Sequence, residues 1–127
     1  PPTVESLRST SDHGIAVGAA ISAWCNAART QLSLARDGRA VSVRDGSLFR
    51  RTIHSGVVAD RAPRAAVTLE GSPCVIVYDS EGAALAELTS ERPTTDRVRV
   101  IALSDDGRVL AVALSSGRVV IVELSAQ

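Results

Sequence analysis

Apolar runs cut by turn residues dominate the C-terminal part of the chain. In "RVRVIALSDDGRVLAVALSSGRVVIVEL", Arg97 to Leu124, three runs rich in Val, Ile, Leu and Ala are separated by "SDDG" and "SSG". β-Branched and aliphatic residues in short runs bounded by Asp, Ser and Gly predict strands joined by tight hairpins. Such turns need positive φ, which Gly adopts without a Cβ clash, and a preceding Asp or Ser bonds the turn backbone. The runs alternate only in part. A strand covered on one face shows a polar residue at every second position, so these strands are expected to be covered on both faces. Val100, Ala102, Leu110, Val112, Val120 and Val122 are then expected in the core.

The pattern recurs along the chain. Leu34, Asp37-Gly38-Arg39 and Val43 align with Leu103, Asp106-Gly107-Arg108 and Val112, and "VTLEGSPCVIVYDSEGAALAEL" fits between them. The first turn glycines are Gly38, Gly71 and Gly107, spaced 33 and 36; the second are Gly46, Gly82 and Gly117, spaced 36 and 35. A period of about 35 residues, each reading as strand, turn, strand, turn, strand, predicts three antiparallel meanders at about 31–64, 65–96 and 97–127. In residues 1–30, "GIAVGAAISAW" alternates as a strand, while Val17, Ile21, Trp24, Cys25 and Ala28 also share one helical stripe. Gly14 and Gly18 each weaken a helix by about 1 kcal/mol. The strand reading is preferred, as the tail of a preceding meander.

Repeated meanders buried on both faces are the sequence form of β-propeller blades. "VIALSDDGRVLAVALSSGRVVIVEL" resembles a WD-repeat blade, in which an inner strand leads through an "S-x-D-G" turn to a second and third strand. Quinoprotein-like and NHL-like repeats share the same "DG-x-V-x-A-V" look. The Trp-Asp that closes the third strand of a WD repeat is absent, Arg51-Thr52, Ala86-Glu87 and Val122-Glu123 lying in that region, and no Gly-His opens a unit. The resemblance implies an all-β partial β-propeller of about three blades with little room for a fourth, outer strand; a β-sandwich is the competing architecture. Three blades do not close a ring, which takes roughly four to eight. The absence of Met and the opening "PP" likewise suggest a segment of a longer protein.

The hydrophobic share of 45% over 127 residues suits one buried core, and no apolar run is long enough for a membrane helix. Charge is balanced at 14 against 14, which removes any global pull toward nucleic acid or membrane. It is uneven locally: residues 29–64 hold eight Arg against three Asp, and residues 65–127 hold five Arg against nine acids. Every basic residue is Arg, an economy best explained by GC-rich coding. Cys25 and Cys74 lie outside any C-x-x-C pattern and are expected to be reduced and buried, which suggests an intracellular, cytoplasmic or nuclear, setting.

Candidate chemistry is sparse. Phosphate-cradling, zinc-protease and serine-hydrolase motifs are absent. "SDDG" supplies only Asp105 and Asp106, too few oxygen ligands for a calcium loop. His13 and His54 sit beside Ser, Asp or Gly and read as turn residues. The inner strands, taken as "QLSLA", "AAVTL" and "VRVIALS", offer Ser33, Thr68 and Ser104 but no acid, His or Lys. The local basic cluster "LFRRTIH", with Arg50, Arg51 and His54, is the candidate interaction surface, and Trp24 is expected in the core. The expected function is a non-catalytic protein–protein interaction scaffold, without cofactor or metal. Its expected partner is protein, either the remaining blades of the parent chain or another subunit, and neither nucleic acid nor membrane. A propeller enzyme or ligand-binding propeller with active residues in other blades, and a purely structural β-sandwich, are the alternatives. Exposed apolar ends are expected near Ile15 to Trp24 and at Arg118 to Leu124.

Overall fold

A computed structural model describes residues 13–26, 28–43, 52–70, 74–89 and 96–124. These residues form strands and turns without a helix. Strands β1 (His13–Val17), β2 (Ser22–Cys25), β3 (Leu32–Arg36) and β4 (Arg39–Ser42) make the first sheet in that order. Strands β5 (Ile53–Val58), β6 (Arg64–Leu69), β7 (Val75–Asp79) and β8 (Ala84–Leu88) make the middle sheet. The last sheet holds β9 (Val98–Leu103), β10 (Val109–Leu114) and β11 (Val119–Glu123). Every pairing is antiparallel and joins neighbours in sequence, so each sheet is a meander.

The hairpins close as the turn chemistry predicts. Gly38, Gly82, Gly107 and Gly117 all have positive φ, between 71° and 93°. Gly46 and Gly71 lie outside the described residues. At the β9–β10 turn the Ser104 hydroxyl donates to Asp106 Oδ1 at 2.6 Å, which in turn accepts the Arg108 N–H at 3.1 Å. The same hydroxyl accepts the Val109 N–H at 3.0 Å. Side-chain oxygens thus satisfy backbone donors that a two-strand turn leaves unpaired.

The three sheets stack face to face, closest at β1, β5 and β9. Between the first and middle sheets lie Leu32, Leu34 and Cys25 against Ile53, Val67, Cys74, Ile76 and Tyr78. Both cysteines are therefore core residues of one cluster, and Trp24 is buried as expected. Between the middle and last sheets lie Ala66, Val75 and Val77 against Ile101, Leu110 and Val112. With a neighbour on each side, β6 is buried along its whole length, Arg64 included.

Three expectations are corrected. First, the sheets begin at His13, Ile53 and Val98, intervals of 40 and 45 residues; the last sheet falls within 97–127, but the first two do not follow 31–64 and 65–96. Gly38 closes the third hairpin of the first sheet and Gly107 closes the first hairpin of the last. Every turn of a meander asks for the same residues, so evenly spaced glycines marked different turns. Second, residues 13–25 are no tail of a preceding blade: they are the first two strands of the sheet that β3 and β4 complete, and β4 and β8 supply the fourth strands. Third, Leu110 and Val112 are buried and Val122 half-buried, but Val100 is 62% exposed, Val120 36%, and Ala102 is also exposed. The last sheet has one neighbouring sheet among the described residues, so Val100 and Ala102 lie on an uncovered face, while Val120, opposite Val112, is open because β11 is an edge strand.

Candidate interaction surface

The expected basic cluster is only partly described. Arg50 and Arg51 lie outside the described residues, and His54 is exposed on β5. There it lines a small cleft of about 180 Å³ with Arg29, Ile15 and Gly56. The cleft exists because β1 approaches β5 closely: a Cβ on Gly56 would stand 2.7 Å from Ile15 Cγ2 and 2.9 Å from the Ala66 carbonyl oxygen. Arg29 reaches the site from the β2–β3 turn, at φ 61°, where its carbonyl accepts the Ile53 N–H at 2.8 Å. Nothing in the sequence pairs Arg29 with His54.

A second cleft, of about 320 Å³, separates the β5–β6 turn from the β9–β10 turn and is lined by Arg64, Asp79, Asp106 and Arg108. Arg64 is 6% exposed, and its Nη1 donates to the Gly107 carbonyl at 2.8 Å. Alongside, the Arg61 N–H donates to the Asp105 carbonyl at 2.8 Å. The "SDDG" turn is therefore fastened to the middle sheet, and its Asp106 carboxyl is held below its ordinary value first by the Ser104 hydroxyl and then by the Arg108 N–H. Two cations and two carboxylates leave this cleft without net charge, and the first cleft is lined by Cys25 and Ser55 as well as His54. No group of His, Cys, Asp or Glu able to hold a metal ion occurs among the described residues.

Ser33, Thr68 and Ser104 do not share a channel. They belong to a third, a second and a first strand or its turn, because the innermost strands are β1, β5 and β9. Thr68 Oγ1 is 2.7 Å from Ser55 Oγ and accepts the Ser55 N–H at 3.1 Å, and Ser104 is consumed by its turn.

The outward face of the last sheet is apolar. Register places Val100, Ala113 and Val119 in one row across the last sheet, and Ala102, Ala111 and Ile121 in the next, all on the face away from the middle sheet. Val100 is 62% exposed and Val119 and Ile121 are each 63% exposed. Glu123, beside Val109, brings a charge onto this face, and exposed Arg99 stands next to Val100 at the irregularity of β9. A contiguous apolar patch of this kind marks an interaction site more often than a bare surface. At the opposite end the expected exposure holds for Val17, 72% exposed, whereas Ile21, Ser22 and Trp24 are buried.

No family model matches the chain, and no curated protein matches it. Solved structures do. Hsv2 of Kluyveromyces lactis, in a structure with complete loop 6CD, superposes with a TM-score of 0.71 at 14% identity over 87% of this chain. Hsv2 of Kluyveromyces marxianus gives a TM-score of 0.68 at 16% identity over 84% of it. The chain spans 36% of the first of these structures and 35% of the second. At such identities the likeness concerns fold, and the fold is that of part of a β-propeller: three stacked antiparallel meanders.

Proposed function

We propose that the chain is a set of WD-repeat-type blades from a non-catalytic protein–protein interaction scaffold, working as part of a larger β-propeller. Intervals of 40 and 45 residues between successive first strands agree with the length of a WD repeat. The "SDDG" turn also stands where the resemblance puts it, between a first and a second strand. The observation that carries the interaction reading is the apolar outer face of β9–β11, where Val100, Val119 and Ile121 stand mostly in solvent. Light scattering on the purified chain across rising concentration is the test. Self-association, or a stable complex with added protein, is the expected result. A monomer that stays folded and binds nothing at the highest concentration would overturn the reading.

A further inference from the structure

We propose that the last sheet is a detachable unit, which undocks from the middle sheet and recloses as a whole while the first two sheets stay together, with the contact of Arg64 and Gly107 as its latch. Nothing in this motion depends on what meets the outer face of the last sheet. The two junctions of the chain are unequal. Between the first and middle sheets, Leu32, Leu34, Ile53, Ile76 and Tyr78 are each 1% exposed or less. Between the middle and last sheets, the last sheet contributes Val98, Ile101, Leu110 and Val112, of which only Leu110 is fully shut off from water. Leu103, Leu114 and Val122 beside them are no more than half-buried. The apolar part of docking scales with the area removed from water, so the second junction is the weaker. Undocking also leaves the ladder of the last sheet whole, since β9, β10 and β11 pair with one another.

Two hydrogen bonds fasten the β9–β10 turn to the middle sheet and the turn that opens β6: the Arg61 N–H donates to the Asp105 carbonyl and Arg64 Nη1 to the Gly107 carbonyl, each at 2.8 Å. The second acts as the latch. Arg64 is 6% exposed, so docking takes a charge out of water and gives it a charge-assisted bond to a neutral carbonyl. Undocking reverses both. The two contributions oppose each other, which leaves the closed state favoured by a margin that thermal opening can cross. The latch is also reachable, because Arg64 lines the cleft of about 320 Å³ between the two turns. Gly107 is needed at this point, since a Cβ there would stand 2.8 Å from Arg64 Cδ. Once undocked, three short strands with neither face covered are marginal, and their amides exchange with solvent.

The test is hydrogen exchange of the full chain, read by mass spectrometry at a dilution where light scattering reports a monomer. β3, β6 and β10 are compared because each is paired on both sides within its sheet. The β10 amides are expected to exchange at least about tenfold faster than those of β3 and β6, through an opening that leaves the first two sheets protected. Ile53→Val, at the first junction, should speed exchange in β3 and β6 severalfold and leave β10 within about twofold of its rate. Gly107→Ala, which presses on Arg64, should speed β10 at least about fivefold and leave β3 unchanged. Protection of β10 equal to that of β3 and β6 overturns the proposal, as does an Ile53→Val change that speeds all three strands alike. If Gly107→Ala does not fold, the unaltered chain and Ile53→Val decide between the same results.

Discussion

The middle and last sheets are written in nearly the same alphabet and differ in what covers them. "RAAVTL" of β6 is buried at every position, whereas "VRVIAL" of β9 buries Val98 and Ile101 and leaves Val100 and Ala102 in solvent. β7 is buried from Val75 to Tyr78, and β11, with the similar run "VVIVE", is mostly exposed. Hydrophobicity alone therefore did not decide burial; the flanking sheets did, together with position in the sheet, since the edge strand β8 of the middle sheet is itself only half-buried or exposed.

The sharpest way to break that comparison is to place a charge in each sheet. Val77→Asp strands a carboxylate between two sheets and should cost several kcal/mol, enough to abolish cooperative unfolding near room temperature. Ile121→Asp, on the open face, should change stability by no more than about 0.5 kcal/mol and should weaken self-association. Equal losses in urea titrations would mean that the two sheets are equally covered. Next in size is Leu110→Ala, which empties the junction side of β10 where the side chain is fully buried. A loss of about 2–5 kcal/mol is expected, read from the denaturation midpoint. A loss below about 1 kcal/mol would show that the last sheet barely docks.

Two turn glycines sharpen the comparison further. A Cβ on Gly107 would meet Arg64 Cδ at 2.8 Å and Ala62 Cβ at 3.2 Å, whereas at Gly117 nothing stands within 4 Å. Both have positive φ, so each Gly→Ala change carries a backbone cost of about 1 kcal/mol. Gly107→Ala should cost about 1 kcal/mol more than Gly117→Ala, and a large part of the excess should vanish in an Arg64→Ala background. Additive effects of Gly107→Ala and Arg64→Ala would refute the contact. The smallest effect concerns acid. Asp106 has a folded pKa below its ordinary 3.8, so its stabilisation is present above that value and is lost as pH falls through the lowered one. Asp106→Asn should flatten the stability curve only below about pH 4, and a change confined to neutral pH would contradict the assignment.

The all-β class and the location of turns were legible because they depend on local chemistry: Asp37-Gly38, Glu81-Gly82 and Asp106-Gly107 announce hairpins wherever they fall. The grouping of strands into sheets was not, because a meander uses the same turn three times and the sequence does not number them. Arg64 could not have been singled out either. Its partner, the Gly107 carbonyl, lies 43 residues away and has no side chain to signal it. The outer face of β9–β11 was half legible: its apolarity was plain, but its exposure depends on a neighbour that no single strand encodes. Of the basic cluster, His54 alone falls among the described residues, where it shares a cleft with Arg29.

Pairing each strand only with its neighbour in sequence also shapes the route to the native state. Every sheet can zip from its own turns with short loops, and the entropic cost of bringing distant chain together is met only when finished sheets meet. Contacts such as Arg64 with Gly107 and Arg61 with Asp105 then form late, in the step where separate meanders become one cooperative body.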